Sequence, residues 1–260
     1  VIEVDFLKKE TLENIPKDID AAYYLIHSMS GSASNYDELE RISAENFVER
    51  INKTNAKQVI YLSGIVNDQS LSKHLSSRKA VEQVLNTGTF ATTTLRAGII
   101  VGSGSASFEI IRDLVQKLPI MVTPKWLNTK CQPIAIADVL QFLTKSLLNP
   151  STYNQSFDLG GPDILTYKEM LLGFAKAIHL KRYIYTVPVM TPKLSSYWLY
   201  FVTSTSYKLA SALVSSMKVE VICRDNSINS ILNITPMSYE LALSKALVKI
   251  DNDTIVSSWK

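Results

Sequence analysis

Two hydropathy rhythms alternate along the first 160 residues. Short, nearly continuous apolar runs fall at residues 1–4, 21–26, 58–62 and 92–100, the pattern of parallel strands buried on both faces. Between them the apolar positions recur at helical spacing. Leu39, Ile42, Phe47, Val48 and Ile51 do so within 38–52, and Ala80, Val81, Val84 and Leu85 within 75–86. Phe108, Ile111, Leu114, Val115 and Leu118 repeat the pattern. A further short helix is expected over 8–14. The order strand, helix, strand, helix, strand with crossovers of this length predicts an α/β fold with a doubly wound parallel sheet.

After residue 107 the rhythm changes. Pro119 and Pro124 bracket a short extended piece, residues 131–136 form another, and Asp138 is placed to cap a helix over 139–147. A strand over 156–159 ends at Gly160-Gly161-Pro162. Thr166 and Glu169 have capping-box spacing for a helix through Ile178. Later stretches lean helical at 195–201, 207–214, 225–232 and 239–249. The expected division is a sheet core over residues 1–162 and a smaller, mostly helical substrate-side lobe over 163–260.

Composition narrows the function classes. With 260 residues, 46% hydrophobic and 20% charged, the chain has the balance of an ordinary globular protein. A net charge of +3 with scattered lysines argues against a nucleic-acid partner. Cys131 and Cys223 have neither zinc-site nor disulfide-framework spacing, so a reducing cytoplasm is the expected location. His27, His74 and His179 form no HExxH pattern, so no metal site is expected. Residues 197–217 are aromatic and apolar, but Lys208 and many serines favour a lid or substrate-side helix pair over membrane contact.

Leu95 to Ser107 is the most suggestive stretch, a strand followed by a glycine loop and a helix. A dinucleotide fingerprint needs a third glycine and an acid after the next strand. Ser107 stands at the third position, and the next extended piece leads to Thr123-Pro124-Lys125. The loop is therefore a weak phosphate cradle. Doubly wound sheets bind ligands at the carboxyl ends of their strands. Here those ends carry Asp5, His27-Ser28-Met29, Ser63-Gly64 and the stretch from Arg96 to Ser107, which should ring one crevice.

Read together, Tyr24 to Met29, Leu95 to Phe108, Leu118 to Pro124, Gln132-Pro133-Ile134 with Asp138, and Gly160-Gly161-Pro162 carry a family resemblance. The chain resembles an atypical, extended-type short-chain dehydrogenase/reductase, closest to the bacterial NmrA-related, YbjT-like NAD(P)-binding proteins. The resemblance covers nearly the whole chain and implies a Rossmann-like core. Such proteins begin with a glycine-rich βαβ unit that does not precede Val1, so the chain is expected to be N-terminally truncated and to bind cofactor weakly by itself.

The resemblance also implies roles. NAD or NADP would lie along Asp5, His27, Ser28, Met29, Ser63, Gly64 and Arg78, with the nicotinamide end facing Arg96, Ala97 and Gly98. The substrate would be walled by Ser103, Gly104, Ser105, Phe108 and Gln132. Aligning the helix through Ala80 and Glu82 puts His74 and Arg78 where typical members carry a catalytic Tyr and Lys, with Ser63 near the usual Ser. The implied activity is hydride transfer between NAD(P) and a small carbonyl or related substrate. The alternative is a non-catalytic NAD(P)-binding redox sensor or assembly protein.

Overall fold

The computed structural model describes residues 1–26, 36–65, 73–187 and 217–251. The chain enters as coil, not as the strand expected over residues 1–4. Val1 and Ile2 are exposed and pair with no described strand, and an extended segment without a partner leaves its backbone groups to water. A one-turn helix α1 (Lys9–Leu12) follows. Then come β1 (Ala21–Tyr24), α2 (Tyr36–Ile51), β2 (Gln58–Gly64), α3 (Lys73–Leu85) and β3 (Ala91–Ala97).

The run expected to form one strand over 92–100 is divided. β3 stays in the main sheet, while β4 (Ile100–Val101) leaves it to pair with β7 (Ile134–Ala135). Gly98 lies at the break. A β-carbon there would fall 2.6 Å from Val221 Cγ1, so the chain passes Val221 only as glycine. Between β4 and β7 come α4 (Ala106–Lys117), β5 (Ile120–Pro124) and β6 (Lys130–Cys131).

Helix α5 (Ile136–Ser146) starts three residues earlier than expected, with Ala135 at its N-cap position and no side-chain cap. Asp138 is 1% exposed, and its carboxylate accepts from Met237 N at 2.9 Å. It therefore ties a distant segment to the helix instead of capping it. β8 (Gln155–Leu159), β9 (Leu165–Thr166), α6 (Tyr167–Ala177) and β10 (Tyr183–Val187) follow, then α7 (Ser227–Ile231) and α8 (Tyr239–Asp251). The capping box is present: Glu169 N donates to Thr166 Oγ1 at 3.1 Å, and Thr166 N donates to Glu169 Oε2 at 2.7 Å. The helices expected over 195–201 and 207–214 lie outside the described residues.

The main sheet runs in the order β1-β2-β3-β8, all parallel. Residues in register across a parallel pair share a face. Tyr24, Val59 and Tyr61 meet Ala44, Phe47, Val48 and Ile51 of α2 and Val81 and Leu85 of α3 on one face. On the other, Ile60, Leu95, Ala97, Phe157 and Leu159 meet Val139, Phe142 and Leu143 of α5 and Ile228 of α7. A Rossmann-like core with helices on both faces of a parallel sheet is thus in place.

A third core gathers Phe108, Ile111, Leu114 and Val115 of α4, Met121 of β5, Met170 and Phe174 of α6, Ile184 of β10 and Leu243 of α8. It draws side chains from both sides of residue 162. A two-stranded parallel ribbon, β5 with β10, lies over it.

Candidate functional site

Period-2 alternation sorts the strand side chains onto two faces, and toward the carboxyl ends of the strands the polar ones lie on the α3 face. Register pairs Tyr61 with Thr94 and Ser63 with Arg96, and Thr94 and Arg96 in turn with Ser156 and Asp158. The carboxyl ends of β2, β3 and β8 therefore present Ser63, Arg96 and Asp158 side by side beneath α3. All lie in mostly buried surroundings: Ser63 is 5% exposed and Asp158 9%.

Helix α3 supplies the partners. Glu82 takes a two-pronged contact from Arg96, Nε to Oε2 at 3.2 Å and Nη2 to Oε1 at 2.6 Å. Ser156 Oγ donates to the same Oε1 at 2.6 Å. One turn earlier, Arg78 Nη1 donates to Leu62 O at 3.0 Å. Its Nε is buried without a hydrogen-bond partner among the described residues. The Tyr61 hydroxyl donates to Arg78 O at 3.5 Å. Burial pushes the Tyr61 phenol up, opposed by the Arg78 charge and by hydrogen bonds with Ser63 and Arg78. Burial likewise raises Tyr24, helped by Tyr61 and Glu40 and opposed by Arg78. Ser77 of α3 donates to Glu40 of α2.

A second group closes the end of β8. Arg224 N donates to Asp158 Oδ2 at 3.0 Å. Gln132 is 5% exposed, with Nε2 donating to Gly161 O at 2.7 Å and Oε1 accepting from Cys223 N at 2.9 Å. Burial, then the Asp158 charge, pushes the Cys223 thiol up to about 12. Burial and the Glu169 charge do the same for Cys131. Neither thiol is poised as a nucleophile at neutral pH.

The structure brings together Ser63, Gly64, Arg78, Arg96 and Ala97 of the expected site. Gly64 ends β2 in register with Ala97. Asp5 lies just before α1, where its carboxylate accepts from Leu7 N at 3.0 Å and its carbonyl accepts from Lys8 N and the Thr11 hydroxyl. His27, Ser28 and Met29 fall outside the described residues. His74 lies in the first turn of α3.

The glycine loop is built for packing. Ser105 occupies the N-cap position of α4 and donates to Ile100 O at 2.6 Å. Gly104, at φ 90°, donates its N–H to Glu109 Oε1 at 3.2 Å. Ser103 Oγ is buried without a partner among the described residues. Two expected substrate walls are corrected. Phe108 is 1% exposed and meets Phe174 edge-on at 5.6 Å, so its ring is core. The Gln132 amide is consumed by the two backbone contacts above, which leaves it a tie between loops.

Glu82, Asp158, Ser156, Tyr61 and Glu40 were not singled out in the sequence. The signal for three of them was present. Tyr61/Ser63, Thr94/Arg96 and Ser156/Asp158 each place polar groups two residues apart in the carboxyl half of a strand. Among the described residues no group of three or more His, Cys, Asp or Glu could hold a metal ion.

No family model matches the sequence, and no curated protein matches it. Solved structures do match its fold. Triphenylmethane reductase from Citrobacter sp. is 15% identical over 94% of this chain and 82% of its own, with a TM-score of 0.73. An NADPH-dependent quinone oxidoreductase from Escherichia coli, solved with NADPH, is 13% identical over 95% and 83%, with a TM-score of 0.73. A nucleoside-diphosphate-sugar epimerase from Staphylococcus aureus is 14% identical over 93% and 82%, with a TM-score of 0.72. At these identities the likeness is one of fold.

Proposed function

We propose that this chain is part or all of an NAD(P)-dependent oxidoreductase of the atypical short-chain dehydrogenase/reductase kind, with residues 1–162 as the cofactor-binding core and 163–260 as the substrate-side lobe. The observation that carries this reading is the polar cluster at the carboxyl ends of β2, β3 and β8, where Arg78 reaches the Leu62 carbonyl next in sequence to Ser63. Ligands of open parallel sheets bind in that position. The fold neighbours point the same way, since triphenylmethane reductase was also solved with NADP(H).

The residues present fit part of such a cofactor. Arg78 offers a cation held by Leu62 O whose buried Nε lacks a partner among the described residues, and Ser63 offers a hydroxyl near the carboxyl end of β2. Donors of that kind suit ribose hydroxyls or a phosphate. Ser63, Gly64, Arg78, Ala97 and Gly98 would hold the cofactor's reactive half, with Asp5, His27, Ser28 and Met29 along the rest. Gly98 fits less well, because Val221 occupies the space over it. The nicotinamide supplies or accepts the hydride when bound.

His74 is the proposed proton-handling group. An imidazole exchanges protons near neutral pH, which is the property this role needs. Arg78 positions the cofactor, and Glu82 keeps Arg96 from competing for its phosphates. Ser103, Gly104 and Ser105 flank the substrate side, and the substrate is a small carbonyl or related compound.

The test uses the protein as its gene encodes it. Arg78→Gln should weaken NADPH binding, followed by nicotinamide fluorescence, by about tenfold or more, the worth of one charge-assisted hydrogen bond. Unchanged affinity would remove Arg78 from the site. His74→Ala should abolish turnover of any substrate found. A second reading, a non-catalytic NAD(P) sensor, is favoured by His74 and Arg78 standing where a Tyr and Lys are usual. It predicts tight cofactor binding with no hydride exchange against carbonyl and quinone acceptors.

A further inference from the structure

The ribbon of β5 and β10 has its apolar residues on both faces. Met121, Thr123 and Ile184 point into the third core. The alternate positions face outward, where a sheet with one wet face ordinarily carries polar side chains. Here they are Ile120, Val122, Tyr183 and Tyr185, between 47% and 60% exposed. Register sets Ile120 against Tyr183 and Val122 against Tyr185, so the four form one compact patch.

A cationic groove adjoins it. The groove, of about 520 Å³, is lined by Lys176, His179, Lys181 and Arg182 with Leu172, Leu180 and Tyr183, and by no acidic residue. The sequence repeats the bias: residues 116–125 and 176–187 include four Lys, one Arg and one His but no Asp or Glu, although Lys117 is paired with Asp113 at 3.0 Å. Arg182 donates to Val115 O and Gln116 O, which sets its charge at the carboxyl end of α4. Lys176 reaches Glu240 at 3.7 Å, a pair exposed at both ends and therefore weak.

We propose that the outer face of the β5–β10 ribbon, with the cationic groove beside it, docks on a bilayer surface that carries anionic phospholipid. Ile120 and Val122 suit the acyl boundary, and paired tyrosines suit the headgroup level, with ring buried and hydroxyl wet. The cations then meet headgroup phosphates. A second copy of this chain is disfavoured, because a twofold contact uses the same surface on both copies and the groove has no acidic lining residue to pair its cations. Single-stranded nucleic acid would use the cations and tyrosines but leave Ile120 and Val122 without a partner. No helix among the described residues is long and apolar enough to cross a membrane, so the contact is peripheral.

Cosedimentation with phosphatidylcholine vesicles, with and without phosphatidylglycerol, tests this independently of cofactor binding. The 260-residue chain should pellet only with phosphatidylglycerol and be released by salt. Lys181→Gln should weaken partitioning about fivefold, and Tyr183→Ser combined with Tyr185→Ser should reduce it to background. Lys181→Gln, at an exposed position, decides the matter if the double variant does not fold. Failure to pellet, equal binding to neutral vesicles, or binding unaffected by either variant overturns the proposal. So does release of the chain from vesicles by a single-stranded oligonucleotide, or a dimer that these substitutions dissociate.

Discussion

Replacing Glu82 with Gln keeps the shape of the polar cluster and removes its charge. The carboxylate is 10% exposed at its side chain and receives two hydrogen bonds from Arg96 and one from Ser156. Bonds to a charged acceptor contribute about 1.5–3 kcal/mol each when buried. Arg96 retains 31% side-chain exposure, so water screens part of that. Glutamine also turns an amide donor toward a guanidinium that only donates. About 2 kcal/mol of lost stability is expected, which lowers the melting temperature by about 4–8 °C for a domain of this size. Urea unfolding followed by circular dichroism measures the loss. Arg96→Met, alone and combined with Glu82→Gln, closes a double-mutant cycle. A coupling of about 1–2 kcal/mol is expected, since the second substitution removes the cation that the first leaves uncompensated. Strict additivity would refute the view that this pair organises the carboxyl ends of β2 and β3.

Two further outcomes follow from burial. Phe108→Ala should cost about 3–5 kcal/mol in the same unfolding assay, as expected for emptying a packed aromatic site. A loss under about 1 kcal/mol would return Phe108 to the role of an open wall. Cys131 and Cys223 are each raised from 9.0 to about 12 by burial. The folded chain therefore keeps protons that the unfolded chain releases, so stability is full below about pH 9 and falls as pH rises toward 12. Melting temperatures between about pH 8 and pH 10.5 should drop, less steeply for Cys223→Ser, and a flat profile would contradict the burial of these thiols.

The parallel sheet and its flanking helices were legible because each obeys a local period. The run from Gln58 and the spacing of Val81, Val84 and Leu85 needed no partner to be recognised. The capping box was legible for the same reason, since both its members lie within four residues. The break at Gly98 was not, because it depends on Val221, more than 120 residues away in sequence. Asp138 carries the signature of a cap, but a remote amide at Met237 competed for it and won.

The candidate site divides the same way. Ser63 stands near the carboxyl end of β2, where the strand pattern puts it, and Arg78, placed by the family resemblance, lies on α3 and reaches the Leu62 carbonyl. Ser156 and Asp158 show their polar alternation in the sequence, but that it faces Glu82 of α3 is decided by contacts between segments 74 or more residues apart. Phe108 and Gln132 were misplaced because an amphipathic helix start and a loop amide look alike whether they face a ligand or a core.

By itself the sequence determined the alternation of strands and helices from Ala21 to Ala97 and the parallel character of the sheet they build. These follow from hydrophobic period and chain length, which are local. Only the tertiary structure decided which buried polar groups pair, that the glycine loop is engaged in packing, and that the apolar face of β5 and β10 points outward. Those outcomes depend on which segments meet. Desolvated charge must find a partner wherever the fold supplies one, and the identity of that partner is set by contacts between residues far apart in the chain.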